Sequence, residues 1–314
     1  MAIAKYTALP VSTLANGTQL NLPLLEIAGS EPGPTVGLSA SIHGDEHTGV
    51  ETIYRFVESF DASQLKGRLL LMPVANPLGF EAISRNTPLD MTNLNRVFPG
   101  DRNGWLTEQM AFVMTEHFLN KCDYLLDFHN GGLLQTVDYA YILNDEEMSR
   151  SFGSPLLYRP DPNLQGTVYA GTSSSTVQPR GCKTMTIEMG GGIVDQGPYV
   201  ERGVRGIYNV LRTIGAIPGA PAPRPKQTVL HEILIMRPTQ GGMFVPEVTG
   251  MNVEVKKGQV MGRVVSPYTF ETLEIFTCPF ALGITVLLHQ NVTKIQPGDY
   301  MFMIGNLMNA ELPQ

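Results

Sequence analysis

A near-continuous apolar run that stops at a polar cluster constrains the fold most. The run covers residues 35–42 and ends at His43, three positions before Glu46. A strand without polar alternation is typical of a sheet that is covered on both faces. Apolar residues then recur at helical spacing from Glu46 to about Phe60, so we predict a helix directly after the strand.

The same alternation of strands and helices continues to about residue 214. Asn16-Gly17 lies between two apolar segments and predicts an opening β-hairpin over residues 6–28. An order of strand, helix and strand is the pattern of an α/β domain. Further strands are predicted at 69–75, 124–129 and 184–189, and further helices at 107–119 and 204–214.

Two long segments carry little regular periodicity. Residues 77–104 are rich in polar groups, and long loops of this kind inside compact domains are usually functional. Residues 133–180 are divided by Gly, Pro and Ser, with short candidate strands at Val137–Leu143 and Thr167–Tyr169. We therefore expect loops and insertions in both segments.

A Pro-rich stretch at 218–225 marks a change in organisation. Proline there is poorly compatible with a helix or a central strand, so the stretch is predicted to be a stiff linker. Helical signals vanish beyond it, and short β-like runs are divided by turns, which indicates a small all-β barrel or sandwich. The predicted division is a first domain at 1–217, a linker at 218–227 and a β-rich domain at 228–314.

Composition and charge narrow the class of partner. Hydrophobic residues make up 43% of the 314-residue chain and charged residues 16%, which is typical of a compact globular protein. The formal charge of −7 argues against nucleic acid and anionic membranes as partners, so a small molecule is expected. Three scattered cysteines and the lack of a signal-peptide pattern favour a reducing cytoplasm. Exposed strands in the β-rich domain leave self-association into a homo-oligomer open.

Three residues at predicted strand ends form a candidate metal site. His43 and Glu46 are closely spaced after one strand, and His129 ends another. Two nitrogens and one carboxylate around zinc, with a fourth position left for water, form a hydrolytic arrangement. Asp127, two positions before His129, either orients that ligand or is a simple strand-end polar group. The other histidines show no such pattern and are expected to be structural or solvent-facing: His47, His117, His231 and His289.

A second group of residues could complete a hydrolytic site. Glu188 is the one acid within 182–193 and is followed by three glycines. A carboxylate in an apolar run is costly unless it is satisfied or used, so Glu188 is either a general base or a buried structural residue. Arg85, Asn95 and Arg96 lie in the polar loop, where a guanidinium can bind a carboxylate or polarise a carbonyl.

Four motifs follow one another along the chain. They are His43-Gly44-Asp45-Glu46, the segment 93–100 (Asn-Leu-Asn-Arg-Val-Phe-Pro-Gly), Asp127-Phe128-His129-Asn130-Gly131-Gly132 and Glu188-Met189-Gly190-Gly191. Together they resemble the succinylglutamate desuccinylase/aspartoacylase family of zinc-carboxypeptidase-like deacylases. Within that family the sequence looks closest to the branch that includes the N-acetyl-diaminobutyrate deacetylases. The resemblance implies a zinc-carboxypeptidase-like mixed sheet flanked by helices, with the small β-rich domain appended.

The resemblance also implies roles for individual residues. His43, Glu46 and His129 would hold one Zn²⁺ per chain, and Glu188 would be the general base and acid. The remaining roles fall on the polar loops: Arg85 would help to polarise the acyl carbonyl, Asn95 and Arg96 would hold the substrate carboxylate, and Asn130, where this branch often has Ser, would contact substrate.

The sequence thus predicts a zinc-dependent amidohydrolase that removes an acyl group from a small N-acyl amino acid or related amide. Two alternatives stay open at this point. One is a zinc carboxypeptidase that acts on short peptides, and the other is a non-catalytic protein that binds a metal or ligand.

Overall fold

The protein is organised around one large mixed sheet. The computed structural model describes residues 5–161 and 170–313 of the chain. Its first part opens with an antiparallel hairpin, as predicted from Asn16-Gly17. The strands before the Pro-rich stretch are β1 (Lys5–Thr13), β2 (Gln19–Ala28), β3 (Glu31–Ala40), β4 (Lys66–Met72), β5 (Tyr124–His129), β6 (Gln135–Tyr141), β7 (Leu156–Tyr158) and β8 (Lys183–Gly190).

Parallel pairing at the centre of the sheet brings distant parts of the chain to one edge. β3 lies between β4 and β5, β5 lies next to β8, and all three pairs are parallel. Their carboxyl ends therefore meet, with Ala40 opposite Phe128 and His129 opposite Glu188. In open α/β sheets the crevice outside these ends is the usual place for a ligand.

Helices cover both faces of this central region, as its apolar strands require. They are α1 (Thr48–Ser59), α2 (Pro77–Ala82), α3 (Leu106–His117), α4 (Glu146–Phe152), α5 (Ser173–Val177) and α6 (Gly197–Thr213). α1, α4 and α6 pack on one face, where Phe56 and Ile207 join a core with Leu38 and Phe128. α3 packs on the other face with the opening hairpin. None of the helices in the described ranges has the length and apolar character that crossing a membrane requires.

The C-terminal part forms two β layers, and one of them continues the central sheet. Its strands are β9 (Thr228–Leu230), β10 (Ile233–Met236), β11 (Gly242–Pro246), β12 (Glu254–Lys256), β13 (Val260–Val265), β14 (Thr272–Thr277), β15 (Leu282–Leu288), β16 (Thr293–Ile295) and β17 (Phe302–Asn306). β15 pairs with β6 of the central sheet, β17 pairs with β15, and β10 pairs with β17. β14, β13, β11 and β16 form a separate four-stranded antiparallel sheet. Phe244 and Phe302 lie in the core between the layers.

The predicted fold class is confirmed: helices flank a mixed sheet, and an antiparallel β region follows it. The division at 218–227 stays a prediction, because hydrogen bonds between β6 and β15 join the sheet on both sides of that linker. The irregular segments contain α2 and α4, which are only six and seven residues long and too short to show periodicity. The candidate strand Thr167–Tyr169 lies outside the described residues.

Candidate active site

Three predicted ligands meet at the carboxyl edge of the central strands. His43 and Glu46 lie in the loop between β3 and α1, and His129 is the last residue of β5. His43 Nδ1 is 2.8 Å from Glu46 Oε1, and His129 Nδ1 is 2.9 Å from Glu46 Oε2. All three side chains are buried, and one donor atom from each lies within 4.8 Å of the other two. The described residues hold no other such group of three.

Each imidazole is oriented through its other nitrogen. His43 Nε2 lies 3.2 Å from Asn93 Oδ1, an oxygen that also accepts the backbone N–H of Asn95. His129 Nε2 lies 3.2 Å from the Asp127 carboxylate. Both partners are acceptors, so each Nε2 can donate a hydrogen to them. In that tautomer, Nδ1 of each ring faces Glu46 with its lone pair.

This arrangement fits a bound cation. With hydrogens on both Nε2 atoms, two imidazole lone pairs and one carboxylate converge without a proton between them. Burial would raise the pKa of Glu46, but the two imidazoles hold it well below its usual value, so Glu46 is ionised. Burial lowers the pKa of His43, which opposes a second proton there. Two nitrogens and a carboxylate are a common donor set for hydrolytic zinc.

His129 carries the balance of charge at the cluster. Burial alone would lower the pKa of its imidazole, but Asp127 and Glu46 together raise that pKa well above the usual value. In the protein without a cation, His129 therefore takes a second proton. Metal binding releases protons from such ligands, so a divalent ion can replace this one.

Glu188 lies beside the three ligands. It is opposite His129 in the β5–β8 pair and opposite Tyr139 in the β6–β8 pair. Burial raises the pKa of Glu188 to about 8, with the nearby Glu46 carboxylate acting in the same direction. Residues 190–192 follow as three glycines with φ of +80°, +88° and +68°, values that favour glycine, so the chain turns away immediately after this acid.

A single cavity of about 410 Å³ contains these groups. Side chains from the C-terminal β region also line it, among them Ile235, Leu287 and Met303. All eight residues proposed from the sequence reach this cavity: His43, Glu46, Arg85, Asn95, Arg96, His129, Asn130 and Glu188.

The polar loop brings its predicted residues to the cluster. Arg85 Nη1 donates to Glu46 Oε1 at 3.1 Å, which places a guanidinium against the ligand group. Asn95 Oδ1 accepts the backbone N–H of Ser173 at 3.0 Å, so this asparagine is held in place. Arg96 Nη1 donates to the Asn95 carbonyl at 2.6 Å, and its side chain lines the cavity.

The side-chain amide of Asn130 is engaged by the protein. Its Nδ2 donates to Thr48 Oγ1 at 2.8 Å, and its Oδ1 accepts the backbone N–H of Gly132 at 2.6 Å. Its own backbone N–H lies 3.3 Å from Glu46 Oε2. These bonds hold the loop after β5 in place, and a substrate contact by Asn130 stays a prediction.

Two serines that sequence reasoning missed hold Asp127. Ser39 donates to Oδ1 and Ser173 to Oδ2, each at 2.6 Å. Ser39 pairs with Asp127 across β3 and β5, so the strand register could have indicated it. Ser173 lies 46 residues away at the start of α5, and no local pattern links it to Asp127. Of the two readings of Asp127, the contact with His129 favours the orienting one.

The other histidines lie outside the ligand cluster. His47 bonds to the Gly44 carbonyl, His117 is exposed at the end of α3, His231 contacts Glu311, and His289 bonds to the Tyr300 carbonyl.

Gly44→Ala is expected to lower the free energy of unfolding by about 1–3 kcal/mol, the usual cost of overpacking. A Cβ at this position would overlap the backbone of Gly79 in α2, so the loop that carries His43 and Glu46 would have to move. Thermal unfolding measures the loss of stability, and zinc titration measures how the moved loop affects metal binding. Gly241→Ala is the matched control, because its nearest neighbour would be Pro297 Cδ at 3.3 Å. An unchanged melting temperature for Gly44→Ala would contradict this account of the loop.

Comparisons with known proteins agree on one family. The model of the succinylglutamate desuccinylase/aspartoacylase catalytic domain matches residues 32–214. N-alpha-acetyl-L-2,4-diaminobutyric acid deacetylase of Halomonas elongata is 30% identical over 200 residues, which cover 60% of this chain. The match spans 56% of that relative's own length, a little more than half.

Solved structures match over nearly the whole chain. A succinylglutamate desuccinylase from Silicibacter sp. TM1040 is 25% identical with a TM-score of 0.84, covering 96% of this chain and 94% of its own. The product-bound ectoine utilization protein EutE (DoeB) from Ruegeria pomeroyi is also 25% identical, with a TM-score of 0.83 and coverages of 97% and 94%. The likeness therefore extends beyond the catalytic domain into the C-terminal β region.

Proposed function

Because this chain belongs to the succinylglutamate desuccinylase/aspartoacylase family, we propose that it is a zinc-dependent deacylase of small N-acyl amino acids. The observation that carries the proposal is the convergence of His43, Glu46 and His129 beside Glu188 in one cavity. The relative from Halomonas elongata, a deacetylase by name, supports the reaction class.

One Zn²⁺ per chain would be held by His43, Glu46 and His129. When bound, zinc supplies a Lewis acid that polarises a carbonyl and lowers the pKa of water. Asn93 and Asp127 would orient the two imidazoles through their Nε2 atoms. Mutation of such partners commonly lowers metal affinity or activity by about 10–100-fold.

Glu188 would carry the proton in this reaction. Its carboxylate accepts a proton from the water that attacks the acyl carbonyl, and it then donates that proton to the amide nitrogen as the C–N bond breaks. Water and amide are converted to a carboxylate and an amine. The position of Glu188 beside the cluster supports this role, as does a pKa that burial raises to about 8.

The arginines would bind the substrate. Arg85 would polarise the acyl carbonyl, and its contact with Glu46 supports this role. Arg96 and Asn95 line the same cavity and would hold the carboxylate of the amino acid, since a guanidinium forms two parallel bonds with a carboxylate.

A cytoplasmic location belongs to the proposal as well, because Cys122, Cys182 and Cys278 are free thiols. Cell fractionation checks this location.

Metal analysis with a substrate panel tests the proposed function. We expect about one zinc per chain and hydrolysis of N-acyl amino acids. The matching N-acyl amines, which lack the carboxylate, should react far more slowly because they offer Arg96 and Asn95 no carboxylate to bind. Cleavage of short peptides without any hydrolysis of N-acyl amino acids would overturn the deacylase proposal in favour of a carboxypeptidase.

A further inference from the structure

The cavity lining combines charged, polar and apolar residues. The charged groups that line it are Arg85, Arg96, Glu46, Asp127, Glu188 and the two histidines. An apolar part of the lining is built from aromatic and aliphatic side chains that also belong to the core between β6 and the C-terminal strands: Leu134, Tyr139, Tyr141, Ile235, Leu287, Tyr300 and Met303.

Strand register aligns three of these side chains in a row. Leu287 of β15 is opposite Met303 of β17, and Met303 is opposite Ile235 of β10. Thr136 of β6 is opposite Leu287, which connects the row to the strand that carries Tyr139. We call Leu287, Met303 and Ile235 the apolar row. It extends across three strands that lie beyond the catalytic domain in the sequence.

The apolar row forms part of the cavity surface. Leu287 and Met303 keep 8% and 9% of their surface accessible, whereas residues deep in the same core, such as Leu230, are fully covered. Ile235 is half-buried and lines the cavity. An apolar group of a bound molecule that covered this row would gain the free energy of removing both surfaces from water.

Two of the three acids that line the cavity are engaged by hydrogen bonds. Glu46 lies between two imidazoles, and Asp127 accepts from Ser39 and Ser173. The third, Glu188, is buried opposite His129 in the β5–β8 pair. Asp161, near the cavity residue Pro160, is exposed and does not line the cavity. A cationic group placed against the apolar row would exchange its hydration for contact with apolar side chains, which is unfavourable.

Resting on the proposed function, we infer that the preferred substrate carries an apolar or aromatic group that packs on the apolar row. The substrate class then differs from the diaminobutyrate derivative named for the Halomonas elongata relative, which has a cationic amine at neutral pH. The apolar group belongs either to the amino-acid side chain or to the acyl chain. Both have the same chemistry at the apolar row.

Four substrates distinguish these possibilities on the unmodified zinc-loaded enzyme. N-acetyl-L-leucine places the apolar group on the amino acid, and N-hexanoylglycine places it on the acyl chain. N-acetylglycine lacks the group, and N-alpha-acetyl-L-2,4-diaminobutyric acid carries a cation. We expect kcat/KM for one of the apolar substrates to exceed that of the last two by about tenfold or more, the usual effect of a filled apolar pocket.

A matched pair of variants on β10 locates the effect. Ile233 and Ile235 lie on the same face of the strand and pack against the same core, but only Ile235 lines the cavity. Ile235→Ala should lower the ratio of kcat/KM for the preferred apolar substrate to kcat/KM for N-acetylglycine about tenfold. Ile233→Ala should leave the ratio of the two substrates unchanged.

The outcomes separate this inference from the proposed function. Preference for the diaminobutyrate derivative, or an equal loss on all substrates in Ile235→Ala, would overturn the apolar class while leaving the deacylase standing. The substrate ranking of the unmodified enzyme decides the matter even if Ile235→Ala does not fold. If none of the four substrates were hydrolysed, both the proposed function and this inference would be overturned.

Discussion

Glu188→Gln is expected to lower kcat roughly a thousandfold, within the range usual for loss of a general acid–base group. Glutamine keeps the shape of the side chain but cannot accept a proton from water or return one to the amide nitrogen. Because Glu188 is not one of the three convergent ligands, zinc content should remain near that of the unmodified protein. Steady-state kinetics and metal analysis on the same preparation measure both quantities.

Glu201→Gln provides the matched control for this substitution. Glu201 is an exposed residue of α6, so its replacement should change neither kcat nor zinc content. If Glu188→Gln kept a tenth or more of the activity, another group would have to carry the proton. A loss of zinc together with activity would instead show that Glu188 supports the ligand cluster.

The central fold could be predicted from the sequence because its signals are local. The apolar run of β5 matches residues 124–129, and α6 covers the predicted helix and extends it toward Gly197. The continuation of the sheet through β6 and β15 could not be predicted in this way. That pairing joins Thr136 to Leu287, 150 or so residues apart, and no periodicity within either strand specifies its partner.

The candidate site divides along the same line. His43 and His129 could be recognised because parallel strands place their carboxyl ends together, so two polar strand ends predict one site. Asn93 lies in a segment whose polar composition predicts a functional loop, but its contact with His43 depends on how that loop folds back. The apolar row is a matter of register between three strands, each of which looks like ordinary core in the sequence.

His129→Ala is expected to remove both zinc and activity. Changes to residues that only orient a ligand often cost 10–100-fold in metal affinity or activity, so loss of a ligand should cost at least about 100-fold. The substitution also takes a hydrogen-bond partner from Glu46 and Asp127, both of which are buried. A buried polar group left without its partner costs about 1–3 kcal/mol, so the melting temperature should fall as well.

Chelation separates the loss of metal from the loss of folding in this variant. The unmodified protein should lose its activity in chelator and regain it when zinc is added back, whereas His129→Ala should not respond to added zinc. His117→Ala is the matched control, because His117 is exposed at the end of α3 and should be replaceable without loss of zinc. A folded His129→Ala protein that still bound one zinc per chain and hydrolysed N-acyl amino acids would remove His129 from the ligand set. Zinc would then be held by His43, Glu46 and a different third donor, and Asp127 would not orient a zinc ligand.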